Sequence, residues 1–95
     1  MKTVTWTQTA TVDLREAETY LGQYHEALAR DLIERATAAA RFLLDFPGLG
    51  APMTGRWRKW RVPRTRYLLI YRPTRSGIEV ARVRYDRSHW ALVPE

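Results

Sequence analysis

Cysteine is absent from this 95-residue chain, so neither a disulfide nor a thiolate metal site can stabilise it. Histidine occurs only as His25 and His89, far apart in sequence, so no cofactor and no metal centre is expected. No stretch approaches the roughly 18 consecutive apolar residues that a membrane span requires. The N-terminus lacks a basic segment followed by an apolar run; a signal peptide is therefore not expected, and the cytoplasm is the expected compartment. There is no internal repeat, linker or low-complexity segment, and the length fits one domain over residues 1–95. A domain this small buries only about 60–65% of the surface its unfolded chain exposes, so without covalent staples it depends on an ordinary core or on a partner.

What is present is apolar, aromatic and unevenly charged. Apolar residues make up 45% of the chain, with four tryptophans and five tyrosines. The net charge is +6. Residues 1–50 carry −2 and residues 51–95 carry +8, nearly all of it arginine. Arginines that alternate with aromatics in the second half point to a face that meets an anion, either nucleic acid or an acidic protein segment.

The pattern along the chain changes halfway. Thr3-Val4-Thr5-Trp6 alternates with β-branched residues and reads as an edge strand, after which Thr7 or Thr9 can cap a helix. Ala10, Leu14, Ala17, Leu21 and Tyr24 recur at helical spacing, and Gly22 and Gln23 weaken the end of that helix. A second stripe of Leu28, Leu32, Ala36, Ala39 and Leu43 predicts a helix from about Glu26 to Asp45, ended by Phe46-Pro47-Gly48-Leu49-Gly50. His25 falls between the helices and reads as structural or solvent-exposed. Residues 56–62, 66–72 and 78–85 then read as three strands joined by short turns at 63–65 and 73–77, with a bulge between Val80 and Ala81. The expected architecture is α+β: an N-terminal strand, a helical hairpin, then a three-stranded antiparallel meander. Val4, Leu14, Leu21, Leu32, Leu43, Leu69, Ile70, Val80 and Val83 are the expected core.

Several short motifs follow one another along the chain. They are Val4-Thr5-Trp6-Thr7, Ala10-x-x-Asp13-Leu14, Phe46-Pro47-Gly48-Leu49-Gly50, Arg58-x-Trp60-x-Val62, Tyr67-Leu68-Leu69-Ile70-Tyr71-Arg72 and Tyr85-Asp86-Arg87-Ser88-His89-Trp90. This ordered set resembles the RelE/ParE toxin superfamily of type II toxin–antitoxin systems, the ParE branch above all, over nearly the whole chain. Members of that family often carry Gly-Thr-Arg-Glu where this chain has Arg56-Trp57-Arg58-Lys59, and many carry His at the position of Tyr85.

The resemblance implies a toxin neutralised by a cognate antitoxin with a short acidic C-terminal segment, and assembled with it into a higher-order complex. It implies one of two targets. A ParE-like protein arrests growth by binding and poisoning DNA gyrase, with no chemistry of its own. A RelE-like protein is a metal-independent endoribonuclease that cuts mRNA on the ribosome.

Metal-free RNA cleavage needs a base, an acid and cations for the phosphorane. Arg58, Arg61, Arg82 and Arg84 could supply charge, and Tyr85 or His89 a proton. Glu79 stands at the start of its strand, where pairing with a neighbouring arginine suits it better than base catalysis, so the acid–base set is incomplete. The target- or antitoxin-binding candidates are Trp57, Arg58, Trp60, Arg61, Arg82, Arg84 and Arg87. Trp57 and Trp60 have opposite parity in a strand, so one of them is expected to point outward as a protein-binding anchor or a stacking platform. No helix is basic enough to act as a DNA recognition helix. The ParE-like reading is the one expected, with the nuclease as its alternative.

Overall fold

A computed structural model of the chain describes residues 1–86. It runs β1 (Thr3–Trp6), α1 (Gln8–Gly22), α2 (Glu26–Asp45), β2 (Ala51–Pro52), β3 (Arg58–Arg61), β4 (Tyr67–Thr74) and β5 (Gly77–Tyr85). The strands form one twisted layer in the order β1-β5-β4-β3-β2, with the helical hairpin on one side. β2 through β5 pair antiparallel, and β1 joins the far edge parallel to β5. Among the described residues no helix is long and apolar enough to cross a membrane.

Local chemistry explains the boundaries. The Thr7 hydroxyl accepts from the Ala10 N–H at 3.0 Å, capping α1, and donates to the Ala81 carbonyl at 2.9 Å. One side chain therefore starts the helix and fastens it to β5. His25 is the N-cap of α2, its Nδ1 accepting from the Leu28 N–H at 3.4 Å, which is the structural role expected of it.

The core lies between the helices and the face of the sheet carrying Tyr67, Leu69, Tyr71, Ile78, Val80 and Val83. Of the expected core, Leu14, Leu32, Leu43, Leu69, Val80 and Val83 are buried, and Val4 and Leu21 pack partly against it. Ile70 is a correction. The strand period puts it on the opposite face with Leu68 and Arg72, and Tyr71 takes the buried place beside Leu69. Leu28 is a second correction. It is exposed near the tip of the hairpin, and Ala29 is buried in its stead.

The strand limits also shift. β3 begins at Arg58, because Thr54, Gly55 and Arg56 form a turn closed by the Trp57 N–H on the Thr54 carbonyl. β4 continues through Pro73 to Thr74, leaving only Arg75 and Ser76 as the hairpin turn. Pro73 is tolerated because β4 there has run past β3, whose last partner is Tyr71, so one edge is already unpaired. The bulge falls where expected: Ile70 faces Arg82 and Tyr71 faces Val80, with Ala81 the extra residue.

Candidate functional site

The segment after α2 is held to the sheet by two side chains. The Tyr71 hydroxyl donates to the Pro47 carbonyl at 2.7 Å and accepts from the Gly50 N–H at 2.9 Å. Arg58 Nη1 donates to the Gly48 carbonyl at 3.1 Å and the Gly50 carbonyl at 2.7 Å. The Pro47-Gly48-Leu49-Gly50 motif is thus a latch in which four main-chain groups meet a phenol and a guanidinium. Gly50 is required by contact: a Cβ there would sit 2.9 Å from the Lys59 carbonyl oxygen and closer still to the Tyr71 ring.

The latch gives stability a pH dependence. Burial pushes the Tyr71 phenol above its ordinary value of 10.0, against the Gly50 hydrogen bond and the Arg58 charge, which favour the phenolate. Burial, with smaller contributions from Tyr85 and Tyr20, likewise raises Tyr67. A raised phenol keeps its proton longest in the folded state. The unfolded chain therefore ionises first, and the stabilisation is lost as pH climbs above about 10 through the folded values. Thermal melts followed by circular dichroism should hold steady near neutrality and fall above about pH 10. Tyr71→Phe should melt lower at every pH, by about 1–3 kcal/mol for the orphaned Gly50 N–H, and with a shallower alkaline decline.

The arginine candidates do not form one cluster. Arg61 is ion-paired with Asp86, which is only 4% exposed. Arg82 lies against Asp13 of α1 at 2.8 Å, and Asp13 also accepts from the Val83 N–H at 3.0 Å. The hydrogen bond that Arg82 donates to Asp13, together with the Asp13 charge, raises the Arg82 guanidinium further above its already high value. Sequence reasoning quoted Asp13 and Asp86 within motifs but gave neither a role. Each proves to be the carboxylate that positions an arginine; Asp86 stood beside arginines in the sequence, whereas nothing near Asp13 signalled Arg82. Arg72 forms a third such pair, with Glu79 at 2.8 Å, as Glu79's place in its strand implied.

Register then separates the remaining candidates. Arg61 and Arg84 both lie beside Leu68, on the face away from the helices. Tyr85 lies beside Tyr67 on the helix side, 44% exposed, its ring edge-on to Tyr67 at 5.4 Å. It lines a groove with Tyr20, Leu28 and Arg35. Arg84 and Tyr85 are therefore on opposite sides of the sheet.

The two tryptophans differ in place, but Trp57 precedes β3, so strand parity does not govern it. Trp60 packs on the core, 5.8 Å from Phe42, and its Nε1 is buried without a hydrogen-bond partner among the described residues. The outward tryptophan expected is not found: Trp57 is half-buried like Trp60 and lies beneath the Arg72 guanidinium at 5.1 Å. Arg87 and His89 lie outside the described residues. Two exposed apolar zones flank these features: Tyr20, Tyr24 and Leu28 at the hairpin tip, and Phe42 and Phe46 beside Trp60.

Comparison with known proteins fits this geometry. A protein-family model described as the ParE toxin of the type II toxin–antitoxin system parDE matches residues 4–90. The fold is similar to a solved chain from the chromosomal ParDE toxin–antitoxin system of P. aeruginosa, with a TM-score of 0.79 and 18% identity over 92% of this chain and 98% of that one. At that identity the likeness speaks for the fold alone. No curated protein matches the chain by sequence.

Proposed function

Because the chain belongs to the ParE toxin family of type II toxin–antitoxin systems, we propose that it arrests growth by binding and poisoning DNA gyrase in the cytoplasm, and that a cognate antitoxin neutralises it. What supports this reading over an mRNA nuclease is the separation of Tyr85 from the candidate arginines Arg61, Arg82 and Arg84; the arginines lining its own groove are Arg35, Arg64 and Arg66. An acid that protonates a leaving oxygen must stand within hydrogen-bond reach of the same phosphate that the cations hold. Arg84 faces one side of the sheet and Tyr85 the other, and Arg61 and Arg82 are already engaged by Asp86 and Asp13. Arg61 and Arg82 are thus held by carboxylates and Arg84 stands across the sheet from Tyr85, an arrangement that suits binding to a protein surface better than proton transfer.

The antitoxin segment is expected to be acidic and amphipathic. The second half of the chain carries +8, and the exposed Tyr20, Tyr24, Leu28, Phe42 and Phe46 offer apolar contact beside it. Several toxin–antitoxin pairs then join in a larger assembly.

Induced expression of the chain tests the reading directly. The expected outcome is DNA breakage and loss of gyrase supercoiling while mRNA stays intact. Transcripts cut at codon positions, with supercoiling untouched, would reverse the choice in favour of the ribosome-dependent nuclease.

A further inference from the structure

A cleft of about 520 Å³ lies between the Pro52–Arg58 segment and the tip of the β4–β5 hairpin, apart from the apolar zones and from the Asp13 and Asp86 ion pairs. Its walls are Pro52, Arg56, Trp57, Arg58, Pro73 and Arg75, with Gly55 and Thr74 between them. The volume is within the range of roughly 300–1,000 Å³ usual for sites that take a small molecule or one residue of a polymer.

Three features of these walls point the same way. The charge is of one sign: three arginines and no carboxylate. Arg56 and Arg75 form no ion pair among the described residues, and Arg58 spends its Nη1 on neutral carbonyls, so its charge is uncompensated. Trp57 contributes nothing to the core, whereas Trp6 and Trp60 both pack against it. The Arg72 guanidinium, itself held by Glu79 at 2.8 Å, covers one face of the Trp57 indole and fixes the ring where it forms the cleft wall. A large apolar ring kept half-buried at the surface, among unpaired guanidinium forks, is suited to a flat anionic ligand.

We propose that this cleft is a nucleic-acid site that takes one unpaired nucleotide of a single strand, its base stacked on Trp57 and its phosphate held by Arg56 and Arg75. Carboxylates would satisfy the arginines equally well. The stacking surface is what selects a nucleotide over an acidic peptide, since every base offers a π-face and an acidic side chain offers none. The site needs no recognition helix, and it does not depend on whether gyrase or the ribosome is the target.

Fluorescence anisotropy of the purified full-length chain with labelled oligothymidylate, and in a second arm oligouridylate, tests it; polyglutamate serves as competitor. Binding should weaken as salt rises. Trp57→Ala should weaken it by about 5- to 150-fold, the range that loss of one stacked base gives, while Trp57→Phe should keep most of the affinity. Arg56→Ala and Arg75→Ala, both at exposed turn positions, should each lower the affinity and reduce the salt slope by about one. Arg41→Ala, an equal loss of charge on the exposed face of α2, should change neither. The oligothymidylate and oligouridylate arms show whether DNA or RNA is preferred.

Equal weakening by Arg41→Ala and Arg75→Ala would mean diffuse attraction and would overturn the proposal. So would unchanged affinity in Trp57→Ala, or polyglutamate displacing the oligonucleotide at lower concentration than unlabelled oligonucleotide does. No gyrase or ribosome is present in the assay. Failure here therefore leaves the growth-arrest reading standing, and a failure of that reading leaves this site untouched.

Discussion

Replacing Gly77 by alanine should cost more stability than any other single methyl added to this chain. Gly77 opens β5 with φ at 150°, a region L side chains rarely adopt. It also lies directly against Thr3 in the parallel β1–β5 pair. A Cβ there would overlap the Thr3 carbonyl oxygen and stand 2.8 Å from the Thr3 amide nitrogen and 2.9 Å from the Leu44 Cδ1. Backbone cannot swing aside as a flexible side chain can, so β1 must leave the sheet edge. Strain of about 1–3 kcal/mol adds to the lost pairing, and together they amount to about 3–5 kcal/mol. Since 1 kcal/mol moves the melting temperature of a domain this size by about 4–8 °C, a fall of more than about 12 °C is expected. Gly48→Ala, where an added Cβ meets nothing within 4 Å, is the comparison and should be nearly silent. Similar melting temperatures for the two variants would show that β1 is not held as described.

Tyr85→Phe should leave growth arrest intact, and here the two readings of the function differ most. Losing a proton-transfer group typically slows a reaction about 100- to 10,000-fold, so a nuclease relying on Tyr85 would stop killing. A gyrase poison transfers no proton there, and the phenylalanine ring preserves the edge-on contact with Tyr67. Killing by the variant, measured as colony survival after induction, should match that of the unaltered chain. Survival of cells expressing folded Tyr85→Phe would reject the binding mechanism. Trp60→Ala is not an equivalent test. Removing its core-packed ring costs up to about 3–5 kcal/mol, so lost killing there would report unfolding as readily as lost binding.

Local information carried much of this structure. The two helices, the Thr7 cap, the stop at Phe46-Pro47 and the Ala81 bulge were legible, because each is set by neighbours a few residues away, although Tyr24 and Leu28 of the expected stripes are exposed. Opposite parity of Trp57 and Trp60 did not decide their places, because Trp57 lies before β3 and both rings are half-buried. The errors have a common cause. Ile70 and Tyr71 are adjacent and both apolar, so the run Tyr67–Tyr71 gives no preference for one face; only the position of the helices makes Tyr71 the buried one. β2, two residues long, carries too little pattern to be read and exists because β3 offers it an edge.

The candidate site divides along the same line. The excess of arginine over residues 51–95, the lack of cysteine and the ordered motifs are facts of the chain, and the motifs were enough to show a resemblance to the ParE toxins. Which arginines are engaged was settled only by folding. Asp13 reaches Arg82 across 69 positions of sequence, and Asp86 reaches Arg61 across 25. Carboxylate–guanidinium pairing depends on distance in space, and a one-dimensional pattern does not encode that distance. The same holds for Trp57 and Arg75, which a turn and a hairpin tip bring to one cleft.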